Sequence, residues 1–195
     1  MRLQSTAHTS RPWRIHELTD DFVVEDVWAL PTPGGPGDFG KLVRYYTSGA
    51  GPSGPAVVRA LFAIRWKLGA VLRLDRSADA LGTRAQSLRD LLPDDLRSAP
   101  RGPDFAFFSS VYLLDDEWVA EFANRTVHGV MHVGWVSDGA EDYHGQMAVL
   151  VKPNGVLGKL YMAAIAPFRN WVVYPAVMRG IQRDWRARAG DPVVR

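Results

Sequence analysis

A chain of 195 residues, 47% hydrophobic and 23% charged, has the balance of one ordinary globular domain, and is too short for two comfortable ones and too apolar for a disordered or fibrous protein. Its net charge of +2 gives no electrostatic reason to expect nucleic acid as a partner. The absence of cysteine excludes disulfides, thiolate nucleophiles and cysteine-based zinc sites. A single domain over 1–195, with an ordered core of about 13–188, is therefore expected. The cysteine-free composition and the polar opening MRLQSTAHTSRPWRIHE, which lacks the apolar core of a secretory signal, give a cytoplasmic location as the simplest expectation.

The first element is DDFVVEDVWAL, whose alternation puts Phe22, Val24, Asp26, Trp28 and Leu30 on one face of a strand. PTPGGPGDFG breaks regular structure, and a short helix from Phe39 to Tyr46 follows with Asp38 near its cap. Beyond a second Gly/Pro-rich loop, Val57, Leu61, Ile64, Leu68 and Val71 recur at helical spacing. From Asp75 to Asp104 the chain is a connector with one short helix near Ser87 to Leu91, and a connector of that length points to a lid or a binding loop.

Four strands come next: FAFFSSVYLL, EWVAEFAN, TVHGVMHVGWV and YHGQMAVLVK. Their short separators, including SDGAED with its Asp-Gly pair, favour an antiparallel meander. Asn154 to Arg188 carries Leu157, Tyr161, Ala164, Phe168, Trp171, Met178, Ile181 and Trp185 at spacings of a long helix, bent or restarted at Pro167 and Pro175. The same region is long enough to cross a bilayer, but Lys159, Pro167, Arg169, Asn170 and Pro175 interrupt it, so no membrane span is expected.

HGVMH places His128 and His132 four residues apart, as in a helical zinc motif, yet Gly129 stands where the general base would be. Its β-branched and aromatic neighbours Thr126, Val127, Val130, Val133 and Trp135 make it a strand. There the two Cα atoms lie roughly 13 Å apart, too far to share an ion, and no metal is expected. Val127, Met131, Val133 and Trp135 form the apolar face, leaving the histidines on what should be the polar side of a half-buried sheet.

The passages FVVEDVWALPTP, RALFAIRWKLG, ANRTVHGVMHVGWV and QMAVLVKPNGVLGKLYMAAIAPFRNWVVYPAVMR span most of the chain from Asp21 to Arg188. They resemble a bacterial domain-of-unknown-function family, found alone and also fused behind short-chain-dehydrogenase-like NAD(P)-binding domains. The element order in turn resembles the START-like, helix-grip superfamily. That likeness implies an α+β fold in which a curved antiparallel sheet wraps a long C-terminal helix and leaves a cavity between them. It carries no catalytic residues with it. Because the chain lacks the glycine-rich turn of a dinucleotide fold, NAD(P) chemistry does not transfer, and no cofactor is expected.

If the inner face follows Met131 and Trp135, its neighbours are Trp118 and Phe122 on one strand and Tyr143, Met147, Val149 and Val151 on another. A cavity so lined suits a small hydrophobic or amphipathic ligand, with Trp28, Trp118, Phe122, Asn124, Met131, Trp135 and Tyr161 as the candidate binding residues. The bland alternative is that these side chains fill a core. Asp26 is the weak catalytic candidate, because a carboxylate buried beside Trp28 would have a raised pKa suited to proton transfer unless an arginine pairs with it. Arg169, beside the bend, reads as an exposed arginine or as an anchor for an acidic headgroup. Ser109, Ser110 and His128 lack the sharp turn of a serine hydrolase. Ligand binding leads, with general acid/base catalysis in the same cavity or a non-catalytic interaction module as alternatives.

Overall fold

The computed structural model describes residues 1–48, 85–124 and 127–189. The helix expected over Val57 to Val71 lies outside them.

Among the described residues six strands form one antiparallel sheet: β1 (Arg2–Leu3), β2 (Val23–Ala29), β3 (Ser109–Leu113), β4 (Glu117–Ala123), β5 (Val127–Gly139) and β6 (Asp142–Pro153). Their order is β1-β2-β6-β5-β4-β3, so the first long strand lies beside the last and the meander runs outward from it. The expected hairpin closes β5 onto β6 through Gly139 and Ala140, both at positive φ. Between the strands lie α1 (Thr6–Thr9), α2 (Phe39–Thr47) and α3 (Asp94–Arg97), and after them α4 (Gly155–Phe168) and α5 (Tyr174–Ala189). The fold is α+β.

Pleating sorts the core into two layers. One face carries Trp28, Trp118, Met131, Val133, Trp135 and Met147, packed against Phe39, Leu42, Tyr45 and Tyr46 of α2 and Tyr174 and Ile181 of α5. The opposite face carries Val119, Val130, Val136, Ala148 and Leu150, packed against Trp13 and Ile15 from the N-terminal segment and Leu88, Leu92 and Leu96 from the connector.

That second layer corrects the expectation of a polar, half-buried histidine face. Every residue of β5 from Val127 to Val136 is buried, His128 and His132 included. The cover comes from segments remote in sequence, which periodicity within the strand cannot reveal. Gly134 makes the cover possible, since a Cβ there would stand 2.7 Å from the Trp13 ring. The described part of the connector is thus a wall of the core.

Burying the polar side of the sheet requires partners. Glu121 accepts the Leu88 backbone N–H at 3.1 Å and the Ser87 hydroxyl at 2.5 Å, and the 3₁₀ turn Leu88–Leu91 begins at that point. The same carboxylate lies 2.7 Å from His128 Nε2. Glu117 accepts the N–H groups of Arg14 and Ile15 at 3.0 and 3.1 Å and the hydroxyl of Tyr112. Burial pushes the Glu117 carboxyl up, but His132, Tyr112 and the Arg14 backbone together hold it below the usual range.

The C-terminal helical region runs through both prolines rather than breaking. Pro175 has no N–H to offer the carbonyl of Trp171, and between α4 and α5 the backbone widens into a π turn, Arg169–Val173. No described helix is long and apolar enough to cross a membrane.

Candidate functional site

Among the described residues, the helix-covered face of the sheet holds one buried charged cluster, built around Asp26. A β-bulge between Val24 and Asp26 gives β2 an extra residue, so that Glu25 and Asp26 both reach the guanidinium of Arg169. The Arg169 Nη2 to Glu25 Oε2 distance is 3.1 Å, and Nε to Asp26 Oδ2 is 2.8 Å. From the other side Arg2 on β1 donates to Asp26 Oδ1 at 3.1 Å, and the Tyr174 hydroxyl completes the set. Asp26 is fully enclosed. Burial pushes its pKa up, against Arg169, Arg2 and Tyr174, which favour the charged form. Burial likewise pushes the Tyr174 phenol up, reinforced by Asp26.

Arg169 is therefore neither an exposed arginine nor a free headgroup anchor; it is mostly buried, with two carboxylates as partners. The π turn is what aims it at β2. Two prolines eight residues apart with one arginine between them were the sequence signal for this, and they are compatible with a simple bend as well.

Beside this cluster the sheet is incompletely covered. Val149 sits in the middle of β6, paired in register with Asp26 on one side and Met131 on the other, yet it is only partly buried while Ala148 and Leu150 are fully so. Toward α4 a small satellite cluster of Val127, Val151 and Met162 packs with Phe122 and Val149. The Phe122 ring lies over Gly129, where a Cβ would meet it at 2.3 Å. Phe107 and Phe108 stand edge-on to Phe122 at 5.2 and 5.1 Å, and Phe107 remains 41% exposed.

Trp28, Trp118, Met131 and Trp135 come together in the main cluster and are buried there. Trp28 packs on Tyr174 at 4.9 Å, Trp118 donates to Ser110 Oγ at 2.9 Å, and Trp135 donates to the Gly35 carbonyl at 2.9 Å. Asn124 shapes the β4–β5 turn, its Oδ1 accepting the Val127 N–H at 3.0 Å. The Tyr161 side chain lies outside the described residues. Clefts also open away from this face. One of about 1010 Å³ lies between α2, α3 and the end of β3, lined by Phe39, Val43, Leu96 and Leu113, and one of about 410 Å³ lies along the β1–β2 edge. Among the described residues no group of three or more His, Asp or Glu is placed to hold a metal.

The family model described as "Protein of unknown function (DUF2867)" matches residues 18–176. No curated protein matches, and no solved structure matches.

Proposed function

We propose, from the premise that this chain belongs to the DUF2867 family, that it is a helix-grip, START-like binding domain. Its ligand is a small hydrophobic or amphipathic molecule held between the helix-covered face of the sheet and α4. The strand order supports the fold reading, because pairing the first long strand with the last closes a meander around a C-terminal helix. Trp28, Trp118, Phe122, Met131 and Trp135 supply the apolar wall, Asn124 a polar margin, and the cysteine-free composition suits a cytoplasmic setting.

The observation that carries the reading is Val149. The central position of a sheet between two buried neighbours is where a close-packed core should be densest, and here solvent retains access. Half-buried phenylalanines at one margin and the Arg169–Asp26–Tyr174 cluster beside it give the mixture of apolar wall and few placed polar groups that small-molecule sites show. In this reading Asp26 holds the cluster together through Arg2, Arg169 and Tyr174 rather than carrying a proton.

Substituting Val149→Trp tests the space. An open space accepts the indole with little change in stability, and the variant loses any ligand that co-purifies with the wild type in native mass spectrometry. A solid core would instead lose about 1–3 kcal/mol by overpacking. Thermal-shift screening of fatty acids and aromatic metabolites against both proteins completes the test, because stabilisation should follow ligand concentration by mass action in the wild type alone. A destabilised Val149→Trp together with a ligand-free wild type would sink the reading.

A further inference from the structure

The outward side of the C-terminal helical region carries a second surface, independent of any ligand beneath it. α4 is apolar nearly all round, and its solvent face is not turned inward: Val156 is 75% exposed, Leu160 63%, and Trp171 and Val172 in the π turn 80% and 51%. Ala163, Ala164 and Pro167 fill the same stripe at spacings of three or four residues. Farther along, the exposed positions become Arg179, Arg183 and Arg186. Within 155–189 Asp184 is the sole acidic residue, and Tyr45 and Arg183 already engage it. Arg179 and Arg186 have no acidic partner among the described residues.

We infer that this stripe docks the protein on an anionic lipid bilayer. Burying Val156, Leu160 and Trp171 removes from water side chains that a soluble helix ordinarily turns inward. Lying in the interface plane, such a helix sinks its aliphatic stripe to the acyl boundary, while Trp171 sits at the level that tryptophan favours and the arginines that continue the region meet the phosphates. An acidic protein would complement the arginines but would leave the exposed aliphatic stripe of Val156 and Leu160 without an apolar partner. Docking is peripheral, by insertion of one helix face, and requires no membrane-spanning segment.

The test uses the full chain and vesicles of phosphatidylcholine alone or mixed with phosphatidylglycerol. Co-sedimentation with the mixed vesicles is expected, falling steeply with added salt, and much weaker binding to the neutral ones. Leu160→Ser/Trp171→Ser should lower binding at least about tenfold, since two inserted side chains are lost. Arg179→Gln/Arg186→Gln should lower it roughly fivefold per arginine on the anionic vesicles only. Both variants change exposed side chains, and unaltered circular dichroism and melting will verify the fold. No binding to either vesicle, or binding indifferent to the Leu160/Trp171 change, overturns the inference. So does a wild-type dimer in vesicle-free buffer that the Leu160/Trp171 variant dissociates, which would make the stripe an interface between two copies of the chain.

Discussion

Asp26 and Arg169 show how strongly one buried pair depends on its surroundings. The pair is made of groups too costly to bury separately, and the bulge in β2 and the π turn after α4 bring them within 2.8 Å. Asp26→Asn removes the charge while leaving Arg169 in place with Glu25 alone. Because Arg169 keeps Glu25, the loss in equilibrium urea unfolding should fall below the about 3–5 kcal/mol of a buried pair broken outright. Asp26→Leu/Arg169→Met, which removes both charges, should recover most of that stability, whereas two independent contributions would add. Arg2 is half-exposed, and Arg2→Ala should cost no more than about 1 kcal/mol. Sequence alternation placed Asp26 on the face of Trp28 and Leu30, but Phe22 and Val24, expected on that same face, pack in the opposite layer because the bulge shifts the register between Val24 and Asp26. The identity of its partner was hidden, since Arg169 is remote in sequence and the turn that aims it is an irregularity of the helix.

At the scale of elements, β2 to β6, α2 and the C-terminal helical region could be read from the sequence because each carries its own period and its own punctuation, whereas β1, α1 and α3, two to four residues long, are too short to show a period. Phe39–Thr47 after Asp38, the 3₁₀ turn after Ser87 and the Gly139 hairpin all fall where local chemistry put them. What could not be read was which element covers which face. Val119, Val130 and Leu150 alternate identically whether the other side meets water or a connector, and a histidine in that pattern looks solvated until Glu121 and Leu88 are placed. The connector depends on that carboxylate. Glu121→Ala leaves the Leu88 N–H and His128 without their acceptor, and a buried unsatisfied donor costs about 1–3 kcal/mol. Amide hydrogen exchange should consequently accelerate at Leu88 and Arg89 far more than in β5 or β6. Equal acceleration throughout the sheet would show that the connector is not a separate layer held at this point.

For the whole molecule, the two-layer arrangement implies a particular response to acid. His8, fully buried, lies with Nε2 3.2 Å from Nδ1 of His132 and packs edge-on to His16 and His132 at 4.8 Å. Burial pushes its pKa down to about 2, with the neighbouring His132 and His16 adding to the shift. The unfolded chain binds a proton at this residue near its ordinary value of 6.5 and the folded chain does not. Protonation therefore favours unfolding: the contribution is fully present above pH 6.5 and is lost progressively as pH falls toward 2. The slope for one such group is about 1.4 kcal/mol per pH unit. Between pH 6.5 and about 4.5, before most carboxylates titrate, the wild type should lose roughly 2–3 kcal/mol in urea unfolding. His8→Leu should flatten that limb, whatever its stability at neutral pH, because the slope counts protons rather than contacts. The N-terminal segment carries His8, Trp13 and Ile15 onto the sheet, so its release should precede loss of the helix-covered face. Tryptophan fluorescence at Trp13, compared in a Trp13→Phe variant, should change at higher pH than the far-ultraviolet circular dichroism. Identical acid limbs in His8→Leu and wild type would mean that this histidine takes up its proton without leaving the fold.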